Sequence, residues 1–317
     1  MNALLLSCLL VALSLSSSFA SPVTISQNAI SPFPPQEVLS SGPISSLAVS
    51  SSLYDNFVLY AKYSSAAYLT PTLCRNPLGS TRIATFSTTH GYISRDDRRR
   101  EIVVVFRGTL SVKDVKADLK FLQEEFKSPG IPESVRVHRG FLSAYQAVAE
   151  DVLAEVKQQL NSFPTYRIVV TGHSLGGAIA SLAALSLKIA LPDVPLQLYT
   201  FGQPRVGNKI FAKHVERTIG VDSIFRTVHR NDGVPTMLPR KVWALGLEYE
   251  HFATEYWDNP GWFSWSSPKS VTKCRGGEDP DCSNKHFSKG ITLAHPWYFW
   301  QSMVGNLLVC PPKARLL

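Results

Sequence analysis

The sequence contains a serine enclosed by glycines, in the run Gly172-His173-Ser174-Leu175-Gly176. An apolar run ends at Thr171, just before this segment, and an Ala- and Leu-rich run begins at Leu175. A G-x-S-x-G motif between a strand and a helix is typical of a nucleophile elbow, a turn so tight that its neighbours must be small. The pattern therefore predicts nucleophilic catalysis by Ser174. A glycine-rich turn with a solvent-facing serine is the alternative interpretation.

A nucleophilic serine needs a histidine that accepts its proton and a carboxylate that orients the histidine. In hydrolases with this elbow, the acid and then the histidine follow the serine along the chain, and the acid lies in a loop after a later strand. Asp232 lies in such a loop, after the apolar run that ends at His229, whereas Asp222 precedes that run and Asp193 lies in a proline-flanked turn. A simple Asn-Asp-Gly turn is the alternative interpretation of Asp232.

The histidines that follow Asp232 are the candidates for the base. His286 lies in a polar run beside a cysteine and is expected at the surface, and His251 lies in a strand-like stretch where it could be a packing residue. His295 lies in a loop before the aromatic run 296–300, which we interpret as the start of a helix. The residues alone favour His295 without excluding His251. We expect structural roles for the upstream histidines, which are His138, His173 and His214.

Apolar periodicity predicts strands and helices that alternate along the chain. Helices are predicted over 54–69, 143–160, 175–191 and 209–219, and strands over 102–106, 166–171, 196–201 and 223–229. Such alternation favours a mostly parallel sheet that helices cover on both faces. Because no internal repeat or interior linker interrupts the pattern, we predict one α/β domain over residues 47–317.

The N-terminus is typical of an export signal. Residues 4–15 form a short apolar core that ends in small residues, which predicts a signal peptide over residues 1–20. Residues 21–46 are rich in serine and proline and predict a flexible arm or pro-segment. We therefore expect a secreted, extracellular protein without a transmembrane segment.

Removal of the predicted signal takes Cys8 with it and leaves an even number of cysteines, which can pair in three ways. Cys274 and Cys282 bracket a turn-rich run, which favours a local disulfide and leaves Cys74 to pair with Cys310. A zinc site is the alternative, but no paired C-x-x-C spacing supports it. We therefore expect two disulfides and no metal.

The composition excludes several other classes of protein. The 317 residues include 32 Lys and Arg against 24 Asp and Glu, a formal net charge of +8, and 44% of them are hydrophobic. The apolar content excludes disorder over most of the chain. The basic excess is spread over several segments, and no nucleic-acid-binding motif accompanies its dense run at 95–100, so we expect no nucleic-acid partner.

Taken together, these motifs resemble the fungal class 3 lipases, a family that also includes feruloyl esterases. The matching segments run from about residue 51 to residue 310 and lie at 57–68, 105–109, 137–141, 171–177, 199–208, 231–235 and 294–299. The resemblance implies an α/β-hydrolase fold, with a mostly parallel central sheet and helices on both faces. It also implies site residues, with Ser174, Asp232 and His295 as the triad and Thr109 and Leu175 as the oxyanion-hole residues.

The same resemblance implies a carboxylester hydrolase, with triacylglycerol lipase as the leading expectation. A feruloyl or other polysaccharide-side-chain esterase is the alternative within catalysis, and a non-catalytic lipid-binding protein is the alternative outside it. No cofactor is implied. The expected partner is a lipid or another ester, met at a lipid–water interface, and the expected oligomeric state is a monomer.

Two segments bear on the choice of substrate. In the family, the region after Thr109 forms a lid, and here Val112, Val115 and Leu119 would share one face of a short helix; an ordinary surface helix is the alternative. The aromatic run 256–265 is expected either to rim the cleft or to pack in the core.

Overall fold

An eight-stranded mixed sheet organises the computed structural model, which describes residues 48–109, 122–261, 264–285 and 290–310. The strands are β1 Thr81–Phe86, β2 Gly91–Asp96, β3 Glu101–Phe106, β4 Gln123–Glu125, β5 Arg136–His138, β6 Arg167–His173, β7 Leu196–Phe201, β8 Ile224–His229, β9 Lys241–Val242, β10 Leu247–Glu248, β11 Glu255–Asp258, β12 Val271–Lys273, β13 Trp297–Tyr298 and β14 Gln301–Ser302. The large sheet has the order β1-β2-β3-β6-β7-β8-β11-β12.

The centre of this sheet is parallel. Strands β3, β6, β7, β8 and β11 all run in one direction, and β1, β2 and β12 add antiparallel edges. The remaining strands form two-stranded ribbons, which are β4 with β5, β9 with β10 and β13 with β14. Because the loops after parallel strands gather at one edge, β6 and β8 deliver Ser174 and Asp232 to the same side of the sheet.

Helices lie on both faces of the sheet. They are α1 Ser51–Ala66, α2 Arg139–Gln146, α3 Ala149–Ser162, α4 Leu175–Ala190 and α5 Lys209–Ile219. Short 3₁₀ turns occur at Pro77–Gly79, Val221–Ser223, Val234–Thr236, Trp243–Leu245, Pro268–Ser270, Ser283–Lys285 and Leu307–Val309. This architecture confirms the α/β-hydrolase fold that the resemblance implied. None of the helices in the described ranges is both long and apolar enough to cross a bilayer.

Side chains that alternate along the central strands pack in two separate hydrophobic cores, one on each face of the sheet. Ile102 and Val104 of β3 pack in the cluster that includes α2, α3, α4 and α5, whereas Val103 and Val105 pack in the cluster that includes α1. This period of two explains why the run 102–106 is apolar at every position, since each face of the strand meets a layer of helices.

Two helix N-caps also follow from the sequence. The side chain of Ser50 accepts a hydrogen bond from the amide of Leu53, and that of Asn208 from the amide of Phe211.

Two predicted helices were wrong. The helix predicted over 143–160 is broken, because Val148 has φ −135° and ψ 1°, so α2 and α3 are separate. The helix predicted to begin at Pro296 is the β13–β14 hairpin, whose turn residues Phe299 and Trp300 have positive φ. The other predicted helices and strands are present, with ends that shift by a few residues.

Several predictions lie outside the described residues. These are the signal peptide over 1–20, the arm over 21–46, the lid helix at 112–119, the surface position of His286 and the part of the aromatic run at 262–263. Elsewhere in that run, Tyr256 and Trp257 are buried, so they pack in the core, whereas Trp265 is 72% exposed.

Two disulfides join the described cysteines. Cys74, after α1, is linked to Cys310, which is 236 residues away at the end of the described chain. Cys274 and Cys282, which are 8 residues apart, close the loop that follows β12. Both pairs agree with the spacing argument, and both remove the thiolates that a zinc site would need.

The two disulfides are expected to differ in their effect on stability. Replacing Cys74 and Cys310 by serine should lower the free energy of unfolding by about 5 kcal/mol, because the closed loop is long; the same change at Cys274 and Cys282 should lower it by about 2.5 kcal/mol. Urea denaturation of both double variants measures the difference. Equal losses would contradict an origin in chain entropy.

Candidate active site

Ser174 occupies a strained turn between β6 and α4. Its backbone has φ 58° and ψ −129°, a conformation that residues other than glycine rarely adopt. A hydrogen bond of 2.9 Å from the Ser174 amide to the Phe201 carbonyl holds the turn against β7. A Cβ atom on Gly172 would lie 2.2 Å from the Gly176 carbonyl oxygen, and one on Gly176 would lie 2.2 Å from the Phe106 carbonyl oxygen, so both positions must be glycine. The turn therefore has the geometry that the motif predicted.

The structure brings together the three residues predicted to form the triad. Nε2 of His295 lies 2.9 Å from Oγ of Ser174, and Nδ1 of His295 lies 2.8 Å from Oδ2 of Asp232. All three residues are at least nine-tenths buried. In a neutral imidazole the Nδ1–H donates to the carboxylate, which leaves Nε2 free to accept the serine proton. The arrangement is chemically able to convert Ser174 into a nucleophile.

The carboxylate of Asp232 is buried but well supplied with donors. Tyr298 donates its phenol proton to Oδ2 over 2.5 Å, and the amide of Val234 donates to Oδ1 over 3.0 Å. Burial by itself would raise the pKa of Asp232, but the neighbouring His295, Tyr298 and Val234 hold the pKa below its usual value. Asp232 therefore remains ionised at neutral pH.

A second histidine connects the elbow to the loop that carries His295. Burial, and then the adjacent His295, lower the pKa of His173 to about 3, so its imidazole is neutral at physiological pH. Its Nε2–H donates to the carbonyl oxygen of His295 over 2.9 Å, and its Nδ1 accepts from the Tyr68 phenol over 2.7 Å. Tyr68 in turn accepts a hydrogen bond of 3.1 Å from the amide of Gly108. This chain of contacts, the Tyr68–His173 relay, joins the end of β3, the elbow and the histidine loop.

The positions expected to form the oxyanion hole flank Ser174. Leu175 opens α4, where first-turn amides have no carbonyl partner within the helix. Thr109 is half-buried and follows Gly108, which lies so close to the nucleophile that an added Cβ would be 2.9 Å from the Cβ of Ser174.

The rival candidates lie away from this cluster. His251 is buried and donates from Nε2 to the carbonyl of Pro235 over 2.9 Å, so it is a packing residue. Asp222 lies in the 3₁₀ turn before β8, at the opposite end of that strand from Asp232. His138 caps α2 by accepting from the amide of Phe141. These placements leave His295 as the histidine that contacts both Ser174 and Asp232 among the described residues.

Sequence reasoning missed two tyrosines. Tyr298 contacts the Asp232 carboxylate, and Tyr68 forms the relay with His173. Neither has a motif of its own, although Tyr298 is three residues after His295 and Tyr68 ends the segment 57–68.

One group among the described residues has the donor types of a metal site. Glu255, Cys274 and Cys282 place a carboxylate oxygen and two sulfur atoms within 4.8 Å of one another. Because the two sulfurs form a disulfide, they are not thiolate ligands, and the group does not fit a metal in this oxidation state.

Comparison with known proteins places this geometry in a family. The family model "Lipase (class 3)" matches residues 103–242. A lipase from Rhizopus niveus is 38% identical over 219 residues, which are 67% of this chain but 51% of that protein, so the chain spans about half of that relative's length. "Secreted mono- and diacylglycerol lipase A" from Penicillium cyclopium is 34% identical over 233 residues, 70% of each protein.

A solved structure agrees with these relatives. The triacylglyceride lipase of Rhizomucor miehei superposes with a TM-score of 0.71 at 32% identity, over 84% of this chain and 99% of that one. The chain therefore belongs to the family of fungal class 3 lipases.

Proposed function

We propose that the protein is a serine carboxylester hydrolase that acts on acylglycerols, with Ser174, Asp232 and His295 as its catalytic triad. The observation that carries the proposal is the continuous hydrogen-bonded path from Ser174 Oγ through the His295 ring to the buried Asp232 carboxylate. The names of the relatives, which are lipases, support acylglycerols as the substrate class.

The reaction follows from this path. Ser174 Oγ attacks the ester carbonyl carbon while its proton moves to Nε2 of His295, and Asp232 stabilises the resulting imidazolium. The tetrahedral intermediate collapses as His295 returns the proton to the leaving alcohol, and the acyl group remains on Ser174. Water then attacks the acyl-enzyme with His295 as the base, which releases a carboxylic acid and restores the serine.

The oxyanion of each intermediate needs donors that are already in place. We assign this role to the backbone amides of Leu175 and Thr109, together with the hydroxyl of Thr109. The position of Leu175 at the start of α4 adds the positive end of the helix dipole to the site. Loss of one such donor typically lowers turnover about 100- to 1000-fold.

We also propose that the protein is exported and works as a single chain. The apolar segment at 4–15 and two disulfides support export, because disulfides persist in oxidising compartments. A single chain suffices because it supplies the triad and both oxyanion positions. On this account residues 1–20 are removed, and residues 47–317 form the catalytic domain.

Replacing Ser174 by alanine is expected to reduce ester hydrolysis by roughly 10⁴- to 10⁶-fold and to abolish covalent labelling by an organophosphate. The exposed Ser143 on α2 offers a matched control, since Ser143→Ala should retain both properties. Mass spectrometry of the labelled protein locates the adduct. A stoichiometric adduct on Ser174→Ala would contradict the assignment of the nucleophile.

Rates on tributyrin, triolein and methyl ferulate, measured in parallel, test the substrate class. We expect both acylglycerols to be hydrolysed faster than methyl ferulate, because the relatives that support the proposal are lipases. Faster hydrolysis of methyl ferulate would assign the protein to the esterase alternative.

The Tyr68–His173 relay predicts an effect of Tyr68→Phe on turnover. Loss of the phenol oxygen leaves the buried Gly108 amide and Nδ1 of His173 without their hydrogen-bond partner. Gly108 follows β3 and precedes Thr109, and His173 precedes Ser174 in the elbow. We expect kcat to fall about 10- to 100-fold with little change in KM. Tyr54→Phe is the matched control, because it removes a 2.9 Å hydrogen bond to Ser266 from α1, the helix that ends just before Tyr68, and it should leave kcat unchanged. An equal effect of both variants on kcat would contradict a positioning role.

A further inference from the structure

A cavity of about 800 Å³ adjoins the triad but takes no part in the proposed reaction. His229 and Arg230 at the end of β8, residues 259–261, 264 and 266 after β11, and the β13–β14 hairpin form its walls. Asn231 and Ala294, the chain neighbours of Asp232 and His295, also line it. Ser174 is not among the described lining residues, so the cavity lies beside the reaction centre and behind the two loops that carry the acid and the base.

The rim of the cavity is apolar and open to solvent. Leu293 is 90% exposed, and Trp297 and Trp300 are each about half exposed. The ring of Trp300 packs against that of Trp265 with 3.8 Å between centroids, and Trp265 is itself largely exposed. Large apolar side chains gathered around an open cavity are typical of a binding surface rather than of a core.

The turn of the β13–β14 hairpin, which carries the Trp300 ring, has a strained backbone. Phe299 and Trp300 are the turn residues between β13 and β14, with φ 48° and 66°. Turns with positive φ at both central residues are normally made by asparagine and glycine, and each bulky residue there costs about 1–3 kcal/mol. For Phe299, stacking on Phe57 in the core offsets part of this free-energy cost. Trp300 remains half exposed at the cavity. The contact that Trp300 makes is with Trp265, which is itself largely exposed, so this pair of rings lies at the rim of the cavity and not in the core.

The cavity also has a fixed positive charge. Arg230 lines it, and Nη2 of Arg230 donates to the carbonyl of Gly261, which follows the neighbouring strand β11, over 3.2 Å. None of the described residues that line the cavity is acidic. Asp258, which precedes the wall residue Asn259, is fully buried and accepts a hydrogen bond of 2.7 Å from Ser270. An apolar cavity with one guanidinium matches a ligand that has an apolar body and one negative end.

We propose that this cavity binds a long-chain carboxylate, with the carboxylate group on Arg230 and the alkyl chain along Leu293, Trp297 and Trp300. The identity of the ligand rests on the proposed function, because ester hydrolysis beside the cavity releases such an acid. A neutral alcohol of the same length lacks the charge that Arg230 would pair with, and a cationic amphiphile would be repelled by it. Charge therefore separates the proposed ligand from other amphiphiles of the same size.

The test uses the full chain with Ser174→Ala, so that binding is measured without turnover. Decanoate, 1-decanol and decyltrimethylammonium are titrated below their aggregation concentrations, with tryptophan fluorescence and calorimetry as readouts. We expect decanoate to bind at least about tenfold more tightly than the other two, as an added charged hydrogen bond implies. Absence of decanoate binding, or equal binding of decanoate and decanol, would overturn the proposal. Because hydrolysis by the unmodified protein is measured separately, this result would leave the proposed function standing.

Variants in the same background locate the site. Arg230→Gln should weaken decanoate binding about tenfold and leave decanol binding unchanged, whereas Arg230→Lys should keep most of the affinity. Arg98→Gln is the matched control, because Arg98 is exposed in the turn before β3, at the opposite edge of the sheet. Trp297→Ala should weaken both ligands, and it decides the location if Arg230→Gln does not fold. Decanoate binding that is insensitive to Trp297→Ala, or equally sensitive to Arg98→Gln and Arg230→Gln, would place the ligand elsewhere and overturn the proposal.

Discussion

The contact between His295 and the buried carboxylate of Asp232 is the constraint on which the site depends. A carboxylate that is buried away from water retains its charge only if hydrogen-bond donors surround it. Asp232 has three such donors, which are His295, Tyr298 and the Val234 amide. Once Asp232 is ionised, the His295 ring is held with Nδ1–H toward it and Nε2 toward Ser174. The tautomer, and with it the direction of proton transfer, follows from this one buried charge.

The rest of the fold brings distant parts of the chain to that contact. Ser174 and His295 are 121 residues apart, and Asp232 and His295 are 63 apart, and the sheet assembles them by fixing the ends of β6 and β8 at one edge, on either side of β7. The His295 loop is not itself part of the main sheet, but it contacts the ends of β6 and β8 through His173 and His229. Its carbonyl is held by His173, and the disulfide from Cys74 to Cys310 fastens the chain soon after it. The elbow, the end of β3 and the loop that carries His295 are thus held by one set of contacts.

The features that depend on neighbouring residues could be predicted from the sequence, whereas those that depend on contacts between distant residues could not. The elbow is local: glycines at 172 and 176 and the flanking apolar runs determine it, and central strands such as β3 are apolar at each position because both of their faces are covered. His295 could not be separated from His251 on the residues alone, because the choice depends on which loop returns to the sheet. The hairpin after His295 was predicted as a helix, since an aromatic run carries no sign of the positive φ at Phe299 and Trp300. The Tyr68–His173 contact, across 105 residues, has no signal in a single sequence.

The most direct measurement of the central contact is proton NMR of protein with ¹⁵N-labelled histidine. A hydrogen bond from Nδ1 of His295 to an ionised, buried Asp232 should give a strongly downfield proton that couples to the His295 nitrogen and persists at neutral pH. The account predicts this resonance in the unmodified protein and its loss in Asp232→Asn, with the other histidine signals retained. A downfield His295 proton that survives in Asp232→Asn, or one that is absent from the unmodified protein, would contradict it.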